Sequence, residues 1–157
     1  MSYQGNGEVS AVYRPGDGVD RLHVSSSTTA RLVAPGSLTA GRFGLFRWEM
    51  AARAGGASPH FHRTFSESFF ALSGTVRLYD GEKWMDATAG DFLHVPEGGV
   101  HGFRNDANEG ASMLILFAPG APRERYFEEL ADISASGRQL SDEEWTELYA
   151  RHDQYMV

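Results

Sequence analysis

With 157 residues, 41% hydrophobic and 12% aromatic, the chain can close one core and is too apolar for a disordered or fibrous protein. Fourteen basic against 21 acidic residues give a formal charge of −7, and no Lys/Arg cluster supplies the basic face that nucleic-acid binding needs. The absence of cysteine removes disulfides, thiolate catalysis and cysteine-ligated metals together, so any metal here is held through nitrogen and oxygen.

In chain order, residues 1–20 read as an N-terminal arm, with a turn at Arg14-Pro15-Gly16-Asp17-Gly18. Ser25 to Thr29 reads as a polar strand or loop. Phe43 to Met50 is the first clear strand, with Phe46, Trp48 and Met50 alternating against Leu45, Arg47 and Glu49. Arg53 to Pro59 is a small-residue loop. Short strands then follow at Phe69–Leu72, Thr75–Tyr79, Phe92–Val95, Gly102–Asn105 and Met113–Phe117, with Asp80-Gly81 as a hairpin turn. Closely spaced short strands separated by turn residues, among 18 glycines, indicate an all-β sandwich or barrel with its core over about residues 40–118.

Met113 to Phe117 is apolar on both faces, so the outer face needs a cover. Residues 122–157 supply a candidate. Pro122 can open a helix carrying Tyr126, Phe127, Leu130 and Ile133 as an apolar stripe. Ser141 to Glu144 has capping-box spacing ahead of a second helix with Trp145, Leu148 and Tyr149. The expectation is one domain over 1–157, with two short C-terminal helices packed on the barrel.

Two clusters carry chemistry. His60 and His62 share a face if they lie on a strand, although two strand histidines by themselves are more often surface residues than ligands. Glu67, five residues on, opens an apolar strand where a charge is costly to bury unless a cation compensates it; a solvated carboxylate at the strand edge is the alternative. The second cluster is Gly90, Pro96, Gly98, His101 and Asn105. It reads as a metal-ligating histidine after a sharp turn, or as a glycine-rich turn leading to a core histidine.

Together the clusters resemble the paired motifs of the cupin superfamily. His60, His62, Glu67 and Gly74 fit the first motif, and Gly90, Pro96, Gly98, His101 and Asn105 fit the second without a gap. One position departs: Ala54 stands where the family pattern begins with glycine, and Gly55 follows it. The resemblance implies a double-stranded β-helix (jelly-roll) barrel holding one divalent transition metal ion (Fe, Mn, Ni, Cu or Zn) on His60, His62, Glu67 and His101. Three imidazoles and a carboxylate suit those ions and leave coordination positions open. Asn105 is expected to fix a turn. His94, His23 and His152 are expected to lie outside the site, and no serine sits in a nucleophile-elbow pattern.

Alternation points Phe46, Trp48, Met50, Phe69, Phe103 and Ile115 inward, which predicts an apolar, aromatic substrate pocket with the metal as its main polar feature. Such residues also make an ordinary barrel core. Three functional readings follow. The first is a dioxygenase similar to quercetinase-like cupins, acting on an aromatic or enolic small molecule with Glu67 as catalytic base. The second is a non-redox isomerase, cyclase or lyase, and the third a non-catalytic binding cupin. No apolar run approaches the roughly 20 residues of a membrane span, and Met1 to Ser10 lacks the pattern of a secretory signal. A cytoplasmic protein is therefore expected, with neither nucleic acid nor membrane as partner, and the family resemblance implies a homodimer.

Overall fold

The computed structural model describes residues 2 and 4–157; Met1 and Tyr3, part of the expected N-terminal arm, lie outside the described residues. Eleven strands and two helices follow one another: β1 (Arg21–Ser25), β2 (Thr28–Ala34), β3 (Gly44–Met50), β4 (Ala57–Phe61), β5 (Ser66–Ser73), β6 (Val76–Tyr79), β7 (Trp84–Ala87), β8 (Phe92–Val95), β9 (His101–Arg104), β10 (Ala111–Ala118), α1 (Arg123–Ser136), α2 (Asp142–Arg151) and β11 (Tyr155–Met156). They form a six-stranded sheet, β1-β2-β3-β10-β5-β8, and a five-stranded sheet, β11-β4-β9-β6-β7. All the strand pairs are antiparallel. The molecule is thus an all-β jelly roll with two C-terminal helices, the fold class that the motifs implied.

Alternation sets which side chains fill the interior. In β3, Phe46, Trp48 and Met50 are buried while Arg47 is exposed, and in β10 Met113, Ile115 and Phe117 are buried. The register places Trp48 opposite Met113 and Phe46 opposite Ile115. On the other side of β10, Ile115 faces Phe69 and Phe117 faces Glu67. Glu67 and Phe69 therefore point inward in phase. Gly74, at φ 68°, ends β5 where a Cβ would sit 2.3 Å from the Gly110 carbonyl oxygen; only glycine fits both the backbone and the space.

Three elements differ from the sequence reading. The β1–β2 hairpin extends the first sheet ahead of Phe43, burying Val24, Ala30 and Leu32 while His23, Thr29 and Arg31 alternate outward. β4 begins at Ala57, inside the stretch read as a loop, because pairing with β9 supplies what its small residues lack in strand propensity. The two-residue β11 pairs with β4, with Tyr155 stacked on Phe61 at 5.3 Å.

The helical tail does not cover the outer face of β10. Phe70, Phe92 and Leu116 remain 40%, 63% and 36% exposed there. Instead α1 packs against β1, and Phe127 reaches the inward rings of Phe46 (5.0 Å), Trp48 (5.0 Å) and Phe117 (6.2 Å). Against those rings a full aromatic side chain gains about 1.5–3 kcal/mol on burial. A flat outer sheet face offers less. α2 starts with the expected capping box: the Ser141 side chain accepts from the Glu144 N–H, and Glu144 accepts from the Ser141 N–H. No helix of the described residues is long and apolar enough to cross a membrane.

Candidate metal centre

His60 lies on β4, His62 directly after it, Glu67 on β5 and His101 on β9. β4 and β9 are neighbours in the five-stranded sheet with His60 opposite His101, whereas β5 belongs to the other sheet. The cluster therefore exists only because the two sheets face each other. Its four residues are 1–4% exposed, and one donor atom from each lies within 4.8 Å of all the others. The His60 and His101 rings are 4.3 Å apart, His60 and His62 4.9 Å, and His62 and His101 5.3 Å. Gly98, at φ 79°, turns the chain so that its N–H donates to the His62 carbonyl (2.6 Å), joining the two motifs directly.

The second nitrogen of each imidazole fixes its tautomer. Nδ1 of His60 donates to the Ser58 carbonyl (2.7 Å), Nδ1 of His62 to the Asp153 carbonyl (2.6 Å) and Nδ1 of His101 to the Gly99 carbonyl (3.0 Å). A neutral imidazole with its proton on Nδ1 presents a bare lone pair at Nε2. Two of those Nε2 atoms lie 2.9 Å (His62) and 2.7 Å (His101) from the same oxygen, Oε2 of Glu67. Acceptor faces acceptor, so the cluster needs a proton or a cation between its members. A borderline divalent ion fits that donor set.

Electrostatics agree. Burial alone would raise the Glu67 pKa, but His101 and His62 hold it well below the usual carboxylate range. Burial lowers His101, and the Glu67 carboxylate outweighs it, raising His101 above its ordinary 6.5. His60 is pushed down to about 4 by burial and by neighbouring His101. Glu67 and His101 thus favour a shared positive charge between them, in the place a cation would take.

The cluster forms the floor of a cavity of about 380 Å³, where His60 and Glu67 contribute to the lining. Of the expected pocket residues, Trp48, Phe103 and Ile115 line it. Phe46, Met50 and Phe69 do not; they are buried in the packing around it, Phe46 against Phe117 and Phe127, and Phe69 against His101 and Phe103. Alternation tells which side of a strand faces in, but not the height along the barrel at which the space opens. The β1–β2 hairpin and the start of β4 add to the wall, and the tail contributes Arg123, Tyr126, Phe127, Trp145, Tyr149 and Gln154. The stripe of Tyr126 and Phe127 was legible as a packing face; Arg123, one charge in a helical Arg-Glu-Arg run, carried no sequence signal. The cluster is consequently not the cavity's only polar feature.

His94 is exposed and bonds Ser68 (2.9 Å), while His152 pairs with Glu129 (2.8 Å) and His23 with Thr29 (3.0 Å), all outside the cluster. Asn105 fixes a turn: its amide donates to the Ala51 and Glu109 carbonyls and its oxygen accepts from the Ala107 N–H.

A two-sheet jelly roll with a buried three-histidine, one-carboxylate cluster below an aromatic cavity defines a class of β-barrel suited to binding a metal. Residues 46–117 match the family of the cupin domain. A curated relative, quercetin 2,3-dioxygenase of Bacillus subtilis (strain 168), is 31% identical over 127 residues, 81% of this chain; the chain spans only 36% of that enzyme's length. Among solved structures, KdgF from Halomonas sp. aligns over 70% of this chain and 94% of its own, with TM-score 0.62 and 15% identity. The polyketide cyclase RemF from Streptomyces resistomycificus aligns over 71% of this chain and 80% of its own, with TM-score 0.58 and 22% identity. The chain belongs to the cupin superfamily.

Asp153, which the sequence did not single out, clamps the segment between His62 and Glu67. At φ 53° its carboxylate accepts from the Arg63 N–H (3.0 Å), the Thr64 N–H (2.8 Å) and the Thr64 hydroxyl (2.6 Å), while its carbonyl orients His62. Burial works against its ionisation, but the Thr64 and Arg63 donors outweigh it and lower its pKa below the ordinary 3.8. The depressed value means that the stabilisation is present above pH 3.8 and lost as pH falls through the folded-state pKa. Asp153→Ala is expected to cost about 1–3 kcal/mol at pH 7 by urea denaturation, and the difference from the parent should shrink below pH 4. An unchanged denaturation midpoint at pH 7 would refute the clamp.

Proposed function

We propose that His60, His62, Glu67 and His101 bind one divalent transition metal ion, and that the protein is a metal-dependent dioxygenase acting on an aromatic or enolic small molecule. The observation that carries the metal assignment is the acceptor-on-acceptor geometry: three Nδ1 protons committed to backbone carbonyls, with Nε2 lone pairs turned on one carboxylate. When bound, such an ion supplies Lewis acidity and, for a redox-active metal, electrons toward dioxygen.

The chain's own residues have separate tasks in this reading. Trp48, Phe103, Phe127 and Tyr126 hold a flat ring and exclude water from the floor of the cavity. Glu67 is the only carboxylate among the described residues that line the cavity, so it is the group available to take the substrate's hydroxyl proton. Contact with His101 and His62, or with a bound ion, keeps its carboxylate weakly basic, so proton transfer to Glu67 requires one of its oxygens to be free of them. The 31% identity to a quercetin 2,3-dioxygenase supports oxygen chemistry over isomerisation, cyclisation or simple binding.

His62→Ala or His101→Ala is expected to abolish most metal retention, read by elemental analysis of untagged protein; full occupancy in either variant would contradict the ligand set. Because Glu67 raises the His101 pKa and the imidazole must lose its proton to coordinate, zinc affinity should fall as pH drops, by at least about tenfold between pH 7 and pH 5. Titration calorimetry giving one affinity from pH 8 to pH 5 would exclude histidine ligation. The reaction class is read by an oxygen electrode: iron- or manganese-loaded protein should consume dioxygen with flavonols or related enolic phenols. Turnover without oxygen uptake would establish a non-redox enzyme instead.

A further inference from the structure

One wall of the cavity holds a charge that the cluster at its floor does not use. Arg123, the first residue of α1, is 4% exposed and lines the cavity together with Glu67 and Trp48. Its Cζ lies 4.3 Å from the centroid of Tyr126, 5.2 Å from Phe117, 5.4 Å from Phe65 and 5.6 Å from Phe127. Nη1 donates to the His152 carbonyl (2.8 Å) and Nη2 to Oε1 of Gln154 (3.2 Å). Both acceptors are neutral. Nε has no hydrogen-bond partner among the described residues, and neither has Nε1 of Trp48 on the same cavity.

A guanidinium stays charged under all ordinary conditions. Buried among aromatic rings, its charge and its free N–H are costly unless an acceptor meets them. Glu67 and Asp153 offset part of the charge through space, but neither hydrogen-bonds the guanidinium, and Oε2 of Glu67 is taken up by His62 and His101. With a dication on the cluster, the cavity would carry that ion, one carboxylate and one guanidinium, an excess of positive charge in a largely apolar space. An anionic ligand balances it and can meet the free Nε–H of Arg123; a ligand without an acceptor there leaves that donor unpaired.

We propose that Arg123 anchors an anionic oxygen of the ligand, so that the cavity selects a small aromatic or enolic acid with one oxygen at the His60 and Glu67 floor and another on the guanidinium. This deepens the reading above and rests on taking the cavity as the substrate site. The volume of about 380 Å³ suits a compound of one or two rings. Arg123 sets specificity because a planar fork among rings matches a planar carboxylate or enolate, which an ammonium at the same place does not.

The test compares 2-hydroxybenzoate with 2-hydroxybenzamide, which share ring and hydroxyl but differ in the anionic group. Binding is followed in zinc-loaded and metal-free protein by calorimetry and by the Nε–H resonance of Arg123, assigned by its loss in Arg123→Lys. The parent should bind the benzoate at least tenfold tighter than the amide, and the Nε–H resonance should move with the benzoate alone. Arg123→Met, which keeps volume, should erase the preference by weakening the benzoate at least tenfold, with Arg123→Lys in between. If Arg123→Met does not fold, the resonance in the parent decides by itself. Equal affinities in the parent, or a resonance that stays fixed, overturn the proposal while leaving zinc binding intact. Failure of zinc to bind, with the Arg123-dependent preference kept in metal-free protein, overturns the metal assignment and leaves the anchor standing.

Discussion

Three lone pairs and a carboxylate converge in the interior, and the surrounding structure is arranged to keep them there. Two sheets must face each other to bring Glu67 of β5 against histidines from β4 and β9. Backbone carbonyls at Ser58, Gly99 and Asp153 orient the rings, and the turn at Gly98 ties one motif to the other. None of these contacts relieves the repulsion at the centre. A proton or a cation at that point relieves it, so metal binding as proposed competes with protonation of His101, whose pKa Glu67 raises. The aromatic shell strengthens this dependence, because a low local dielectric raises the cost of any uncompensated charge.

The C-terminal segment takes part in the site as much as the barrel does. Phe127 packs against Phe46, Trp48 and Phe117, and β11 extends the sheet that carries His60. Between them, Asp153 holds the loop after His62, and the His152 carbonyl and Gln154 hold Arg123. One short stretch thus positions a member of the cluster and the buried guanidinium together. The barrel supplies the floor of the cavity and, through Trp48, Phe103 and Ile115, part of its wall; the tail adds Arg123, Tyr126 and Phe127, a combination that the shared fold alone does not fix.

The two motifs determined the fold class and the four clustered residues, because a strand's two-residue period and the glycine turns are local properties that survive without tertiary information. The capping box at Ser141 and the turn at Asn105 were legible for the same reason. Less could be read where pairing overrides propensity: the Ser- and Thr-rich β1–β2 hairpin and the small residues opening β4 become strands only against their neighbours. Alternation placed Phe46, Met50 and Phe69 inside correctly, but not beside the cavity. Whether an inward side chain lines a space or fills it depends on what lies opposite: Phe127 of α1 covers Phe46, and Phe103 and His101 cover Phe69. Arg123 and Asp153 act across 31 and 90 positions of chain, on Gln154 and Arg63 respectively, and no local pattern encodes contacts at such range. The sequence by itself determined the metal-type floor; only the tertiary structure decided the cavity's walls and its second charge.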